Sequence, residues 1–147
     1  MDAVTGGSSQ AVKPPFDQER LDRLMDEADF DFVIAASKHN VQYLLGGYKF
    51  IFFSAMDAIG HSRYLPLVIY EKGRPDRAAY IGNKMESGEH QNRPFWTPDV
   101  HTATWGSLDA AGLAAEHFTK IDRSDARIGI EPAFLPSDAY IALRKAL

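Results

Sequence analysis

The sequence predicts an α/β fold, a mixed β-sheet flanked by helices, and three observations predict it. The segment "DFVIAAS", Asp31 to Ser37, is a continuous apolar run with β-branched residues and no solvent face, as a strand covered on both sides requires. A helical pattern precedes it and a capped short helix follows it. "YLPLVIY" and "RAAYIG" flank "EKGRPD", a Gly and Pro turn of hairpin length, which makes an antiparallel pair.

Residues 1–15 are rich in Gly, Ser and Pro without periodic apolar positions, so they are expected to be a disordered lead-in. One domain over 16–147 follows. With Asp17 as N-cap, Leu21, Leu24, Met25 and Ala28 fall at helical spacing on one face. After the first strand, "SKHN" offers capping side chains, with Asn40 among them. Val41, Leu44 and Leu45 then share a face, and Gly46-Gly47 supply a positive-φ stop. Pro66 places the next strand at a sheet edge or at its own first residue.

"MESGEHQNRPFWTP", Met85 to Pro98, lacks any period and carries two prolines, so a surface loop is expected. "DVHTATWG" reads as a strand. "SLDAAGLAAEHFTK" reads as a helix capped by Ser107, with Leu108, Ala111, Ala115 and Phe118 inside. "ARIGIE" is expected to be a short buried strand, and a helix starts at Ser137 with Tyr140, Leu143 and Leu147 on its inner face. The chain stops while that pattern is still running, which suggests a cut terminus.

Composition bounds the function. The 147 residues are 45% hydrophobic and 24% charged, with net charge −4. A chain of this size buries about 70% of its unfolded surface and needs no staple. Cysteine is absent, which removes disulfides, thiol nucleophiles and thiolate metal sites and fits a reducing compartment. The acidic balance and the lack of a Lys/Arg run argue against nucleic acid. No apolar run approaches a membrane span, and the start lacks a signal-peptide pattern, so a cytoplasmic location is expected.

Motif by motif, most chemistry falls away. Asp57/His61 and Glu86/His90 have one-face helical spacing, but neither segment reads as helical and two ligands without a third make no site. "GHSRY" lacks the closing glycine and the following helix of a nucleophile elbow. The glycine pairs lack phosphate-loop spacing and serve turns. Tyr48, Phe50, Phe52, Phe53 and Met56 form an aromatic patch fitting neither period, so a segment apolar on every face needs core or a partner on every face.

"FDFVIAAS" and "HNVQYLLGGY", through Asn40, Val41, Tyr43, Leu44 and Gly46, resemble the opening of the creatinase/prolidase/Xaa-Pro aminopeptidase family. Leu45 stands where that family's motif has Thr or Ser, and Gly47 intrudes before Tyr48. "RIGIEPAFLPSDAYIALRKAL" is similar to the strand and helix that close the family's amino-terminal domain. The resemblance implies a ribonuclease-H-like mixed sheet and a noncatalytic domain that assembles a homodimer and narrows the neighbouring subunit's substrate pocket. It places Phe50, Phe52, Phe53 and Met56 at that interface, with His61, Arg63 and Tyr48 toward substrate in trans. It also implies that catalysis and any divalent metal (Mn, Co or Zn) belong to a carboxyl-terminal "pita-bread" domain lying outside this chain. Two other readings stand beside it. One is a freestanding small-ligand or protein-binding module. The other is a nuclease of the same shape, disfavoured because the interior of "FVIAAS" carries no carboxylate.

Overall fold

A computed structural model describes residues 11–51 and 64–147. Pro14 is buried and Pro15 packs on Gly46, so the ordered chain reaches back into the expected lead-in. Asp17 caps helix α1 (Gln18–Ala28) by accepting from Arg20 N–H. The face it buries is narrower than the periodicity implies: Met25 is buried and Leu21 partly so, whereas Leu24 is 47% exposed and Ala28 is also exposed. Asp22 occupies part of that inner side, where its carboxylate accepts from the Tyr70 hydroxyl at 2.8 Å.

Strand β1 (Phe32–Ala35) leads to α2 (Lys38–Leu44), whose N-cap is Ser37, accepting from Asn40 N–H. Asn40 therefore does not cap; it lies one turn inside the helix and its amide is used elsewhere. Gly46 and Gly47 take the left-handed backbone, φ 71° and 97°, that the glycine pair was expected to supply. The hairpin forms as expected from β2 (Leu67–Glu71) and β3 (Arg74–Asn83), with Pro66 just before the strand it opens.

The expected loop after β3 is helical instead. Asn83 and Glu86 form a reciprocal capping box over a 3₁₀ turn (Lys84–Glu86), which runs into the short helix α3 (Ser87–Asn92). Strand β4 (Asp99–Thr104) and helix α4 (Ser107–Lys120) follow. Gly106, not Ser107, occupies the N-cap position of α4, and the Ser107 hydroxyl turns to Asp138. The buried face of α4 is Ala110, Ala111, Ala114, His117 and Phe118; Leu108 is 56% exposed. Strand β5 (Ile128–Ile130), a 3₁₀ turn (Pro132–Phe134) and α5 (Ser137–Ala146) complete the chain, and Ala139 with Leu143 fills the inner face where Tyr140 was expected.

The sheet has the order β4-β3-β2-β1-β5. Neighbours β1/β2 and β2/β3 run antiparallel, while β1/β5 and β3/β4 run parallel, so the sheet is mixed as predicted. Contrary to expectation, β5 is an edge strand and only partly buried. Helices α4 and α5 cover one face around Phe32, Ile34, Leu67 and Ile69, with the Phe32 and Phe118 rings edge-on at 4.9 Å. Burying each of these rings contributes about 2 kcal/mol. Helices α1 and α2 cover the other face, where Phe16 meets Tyr70 and Trp96 edge-on at 5.5 and 5.6 Å. Among the described residues no helix is long and apolar enough to cross a membrane.

Candidate functional site

Two polar clusters stand on the α1/α2 side. The first joins the two stretches that carried the family resemblance. A strand end and a capped helix leave backbone N–H groups of Ala36 and Ser37 pointing off the end of β1, and they need an acceptor. Glu131, the first residue after β5, supplies it because β5 runs parallel to β1 and delivers its carboxylate to the same rim. Oε2 accepts from Ala36 N–H at 2.6 Å and Ser37 N–H at 2.8 Å; Oε1 accepts from the Ser37 hydroxyl at 2.7 Å and the Asn40 amide at 2.5 Å. Burial pushes the Glu131 carboxyl up, but the donors outweigh it and hold it below the ordinary carboxylate range. This carboxylate has its acceptor sites filled by the fold, which makes it a clasp.

The second cluster sits where the chain leaves α2 for the aromatic patch. Tyr48 donates its hydroxyl to Glu86 Oε1 at 2.8 Å, and Tyr80 donates to the same oxygen at 2.5 Å. Oε2 accepts from Asn83 N–H at 2.6 Å. Glu86 is fully buried with no cation beside it among the described residues, and burial, only partly offset by these three donors, raises its carboxyl above the ordinary range. Burial and the adjacent Glu86 in turn push the Tyr48 hydroxyl far up, so Tyr48 acts here as a donor. The Phe95 ring packs edge-on to Tyr48 at 4.8 Å, and His90 stacks on Phe95.

Of the residues expected to face substrate or partner, only Tyr48 and Phe50 are among those described. Tyr48 is half-buried and tied to Glu86, and Phe50 is 7% exposed, so it belongs to the core side of the patch. Ile51, next along, is 75% exposed. Phe52, Phe53, Met56, His61 and Arg63, together with Asp57, lie outside the described residues. In the motif, Leu44 is buried whereas Tyr43 is 56% exposed. Glu86 and His90 do fall in a helical segment, yet they do not act as a pair: Glu86 is taken by the tyrosines, and His90 Nδ1 accepts from Phe95 N–H. Among the described residues no three His, Asp or Glu side chains gather as a metal-holding group. Sequence reasoning missed Tyr80, and it paired Glu86 with His90 without seeing its buried role; the available signal was the Asn83-x-x-Glu86 spacing of a capping box.

A five-stranded mixed sheet with helices on both faces defines an α/β domain. The chain belongs to the Creatinase/Prolidase N-terminal domain family, which it matches over residues 18–147. It resembles the N-terminal domain of Xaa-Pro dipeptidase from Lactobacillus brevis with a TM-score of 0.63 at 8% identity, covering 88% of this chain and 87% of that one. The N-terminal domain of cytoplasmic peptidase PepQ from Mycobacterium tuberculosis H37Rv gives 0.55 at 17% identity, over 88% of this chain and 83% of that chain. Against the Xaa-Pro dipeptidase from Bacillus anthracis the TM-score is 0.58 at 16% identity, over 88% of this chain; the chain spans 30% of that dipeptidase. At these identities the likeness is one of fold. No curated protein matches the chain.

Proposed function

We propose that this domain is a noncatalytic part of a creatinase or Xaa-Pro peptidase-like hydrolase, helping to assemble a dimer and shaping the substrate pocket of the neighbouring subunit. Its partners are then a carboxyl-terminal catalytic domain, which would hold any divalent metal, and a second copy of the chain in the cytoplasm. Neither nucleic acid nor a membrane is among them. The observation that carries the reading is the launch point of the aromatic segment. Tyr48 is pinned to buried Glu86 and Phe50 is buried, while Ile51, immediately before Phe52 and Phe53, is exposed. A segment started from a rigid anchor and rich in large apolar side chains is suited to meeting a partner surface.

Two measurements test it. The 147-residue chain, given a Xaa-Pro dipeptide with Mn²⁺ or Co²⁺, is expected to show no turnover, and metal-dependent hydrolysis at enzyme-like rates overturns the noncatalytic role. In a chain carrying both domains, R63E is expected to raise KM for substrates with a free carboxylate while kcat holds, as loss of an arginine contact in trans requires. Kinetics unchanged by R63E remove the substrate role of that residue.

A further inference from the structure

On the sheet face away from Tyr48 and Glu86, a recess of 370 Å³ opens between β5, the turn before it and α5. Ile128, Ile130 and Leu143 give it apolar walls, and Ser124, Tyr140 and Arg144 bring polar groups to it. That volume lies within the range of small-molecule sites, roughly 300–1,000 Å³, and an apolar floor with a few convergent polar groups is their usual chemistry.

The charge pattern selects the ligand. Arg77 and Arg123 share Glu71, Arg74 holds Asp76, and Arg127 holds Asp29, so each of these guanidinium groups is paired with a carboxylate. Arg144 has none among the described residues. Its guanidinium carbon lies 6.0 Å from the centroid of the Tyr140 ring, a contact that orients the fork and leaves its N–H donors open. The Ser124 and Tyr140 hydroxyls likewise make no hydrogen bond among the described residues. The recess on the opposite face, 290 Å³ and lined by Leu21, Phe30, Val33 and Tyr43, differs in charge: its charged group, Glu131, is a carboxylate already held by Asn40 and three other donors.

We infer that the β5/α5 recess binds a small organic carboxylate with an apolar body, the carboxylate lying on Arg144 within reach of the Tyr140 and Ser124 hydroxyls and the body against Ile128, Ile130 and Leu143. This site is independent of the proposed dimer role, since it lies across the sheet from Tyr48 and Glu86.

The test is a nuclear magnetic resonance titration of the ¹⁵N-labelled 147-residue chain with 4-phenylbutyrate, using 4-phenylbutanamide as the uncharged control. The acid is expected to shift the amides of Ile128, Ile130, Leu143 and Arg144 with a dissociation constant of about a millimolar or tighter, the range open to a ligand of this size. The amide is expected to bind about tenfold more weakly, R144Q to erase that difference, and R144K to keep part of it. Equal binding of acid and amide, shifts confined to other parts of the molecule, or a preference that survives R144Q overturns the inference. Because Leu147 also lines the recess, the titration is repeated on a chain extended beyond it; binding lost there assigns the recess to the following polypeptide and likewise overturns it.

Discussion

The Asn40 side-chain amide donates to the Glu131 carboxylate at 2.5 Å, joining residues 91 positions apart. Through that contact and the three other donors on Glu131, an edge strand of three residues is held to the end of β1 and the start of α2 by side-chain chemistry as well as by its short ladder. The two stretches that resembled a family as separate strings are one physical object in the fold.

Removing this clasp should be costly and acid-sensitive. E131A is expected to lower stability by about 2 kcal/mol after allowance for solvent screening, and N40A by about half as much, since only one of four donors goes with Asn40. The Glu131 carboxyl titrates below its ordinary value of 4.5, so its contribution is complete above that pH and is lost as pH falls through the folded value. Urea unfolding midpoints measured from pH 7 to pH 3 should therefore fall more steeply for the native chain than for E131Q. Parallel profiles would show that Glu131 carries no charge-dependent stabilisation.

Gly46 and Gly47 separate backbone strain from crowding. Both have positive φ, but a Cβ on Gly46 would stand 2.8 Å from Pro15 Cβ, whereas one on Gly47 meets nothing within 4 Å. G47A should cost about 1 kcal/mol of backbone strain. G46A should cost more, because Pro15 must also move. Thermal melts of the two variants compare them directly, and equal losses would show that Pro15 yields freely.

The anchor of the aromatic segment can be loosened one bond at a time. Y48F removes the hydroxyl bound to Glu86 and should cost about 1 kcal/mol, with Tyr80 and Asn83 still holding the carboxylate. W96F removes the 2.7 Å hydrogen bond from the indole N–H to Leu44 O and should cost about the same. If the segment serves assembly, Y48F should also weaken self-association in sedimentation experiments, an effect W96F should not share.

Glu71 offers a contrast between buried and exposed ion pairs. It is 5% exposed and meets both Arg77, at 3.3 Å, and Arg123, at 2.6 Å, whereas Arg74 and Asp76 pair in open solvent. E71Q should destabilise by about 2 kcal/mol, because it leaves two arginines with a weaker acceptor at a largely desolvated position. D76N should lie within error of the native chain in the same denaturation assay. A larger loss from D76N than from E71Q would reverse this ranking.

Much of the fold was legible because its signals are local. Five apolar residues between Asp31 and Ser37 admit few readings other than a covered strand, and within "EKGRPD" Gly73 supplies the left-handed backbone of the turn between the two strands. The misreadings share a different cause. Leu24, Leu108 and Tyr140 have correct helical spacing yet point to solvent, because α1 gives part of its inner side to Asp22 and because Ala110, Ala114 and Ala139 let the helices approach the sheet closely. The segment after β3 looked like a loop because its helix is short and is started by a buried Glu86, whose partners Tyr48 and Tyr80 come from elsewhere in the chain.

From residues alone came the fold class, the hairpin, the left-handed glycines and the two stretches that mark the family, since each depends on neighbours along the chain. Assembly of the domain settled the rest: that β5 takes an edge, that Asn40 serves Glu131 instead of a cap, and that Tyr48 is an anchor. These depend on which groups meet across the sheet. A carboxylate such as Glu131, whose donors lie more than 90 residues away, finds its partners only when separate strands bring them within hydrogen-bonding distance.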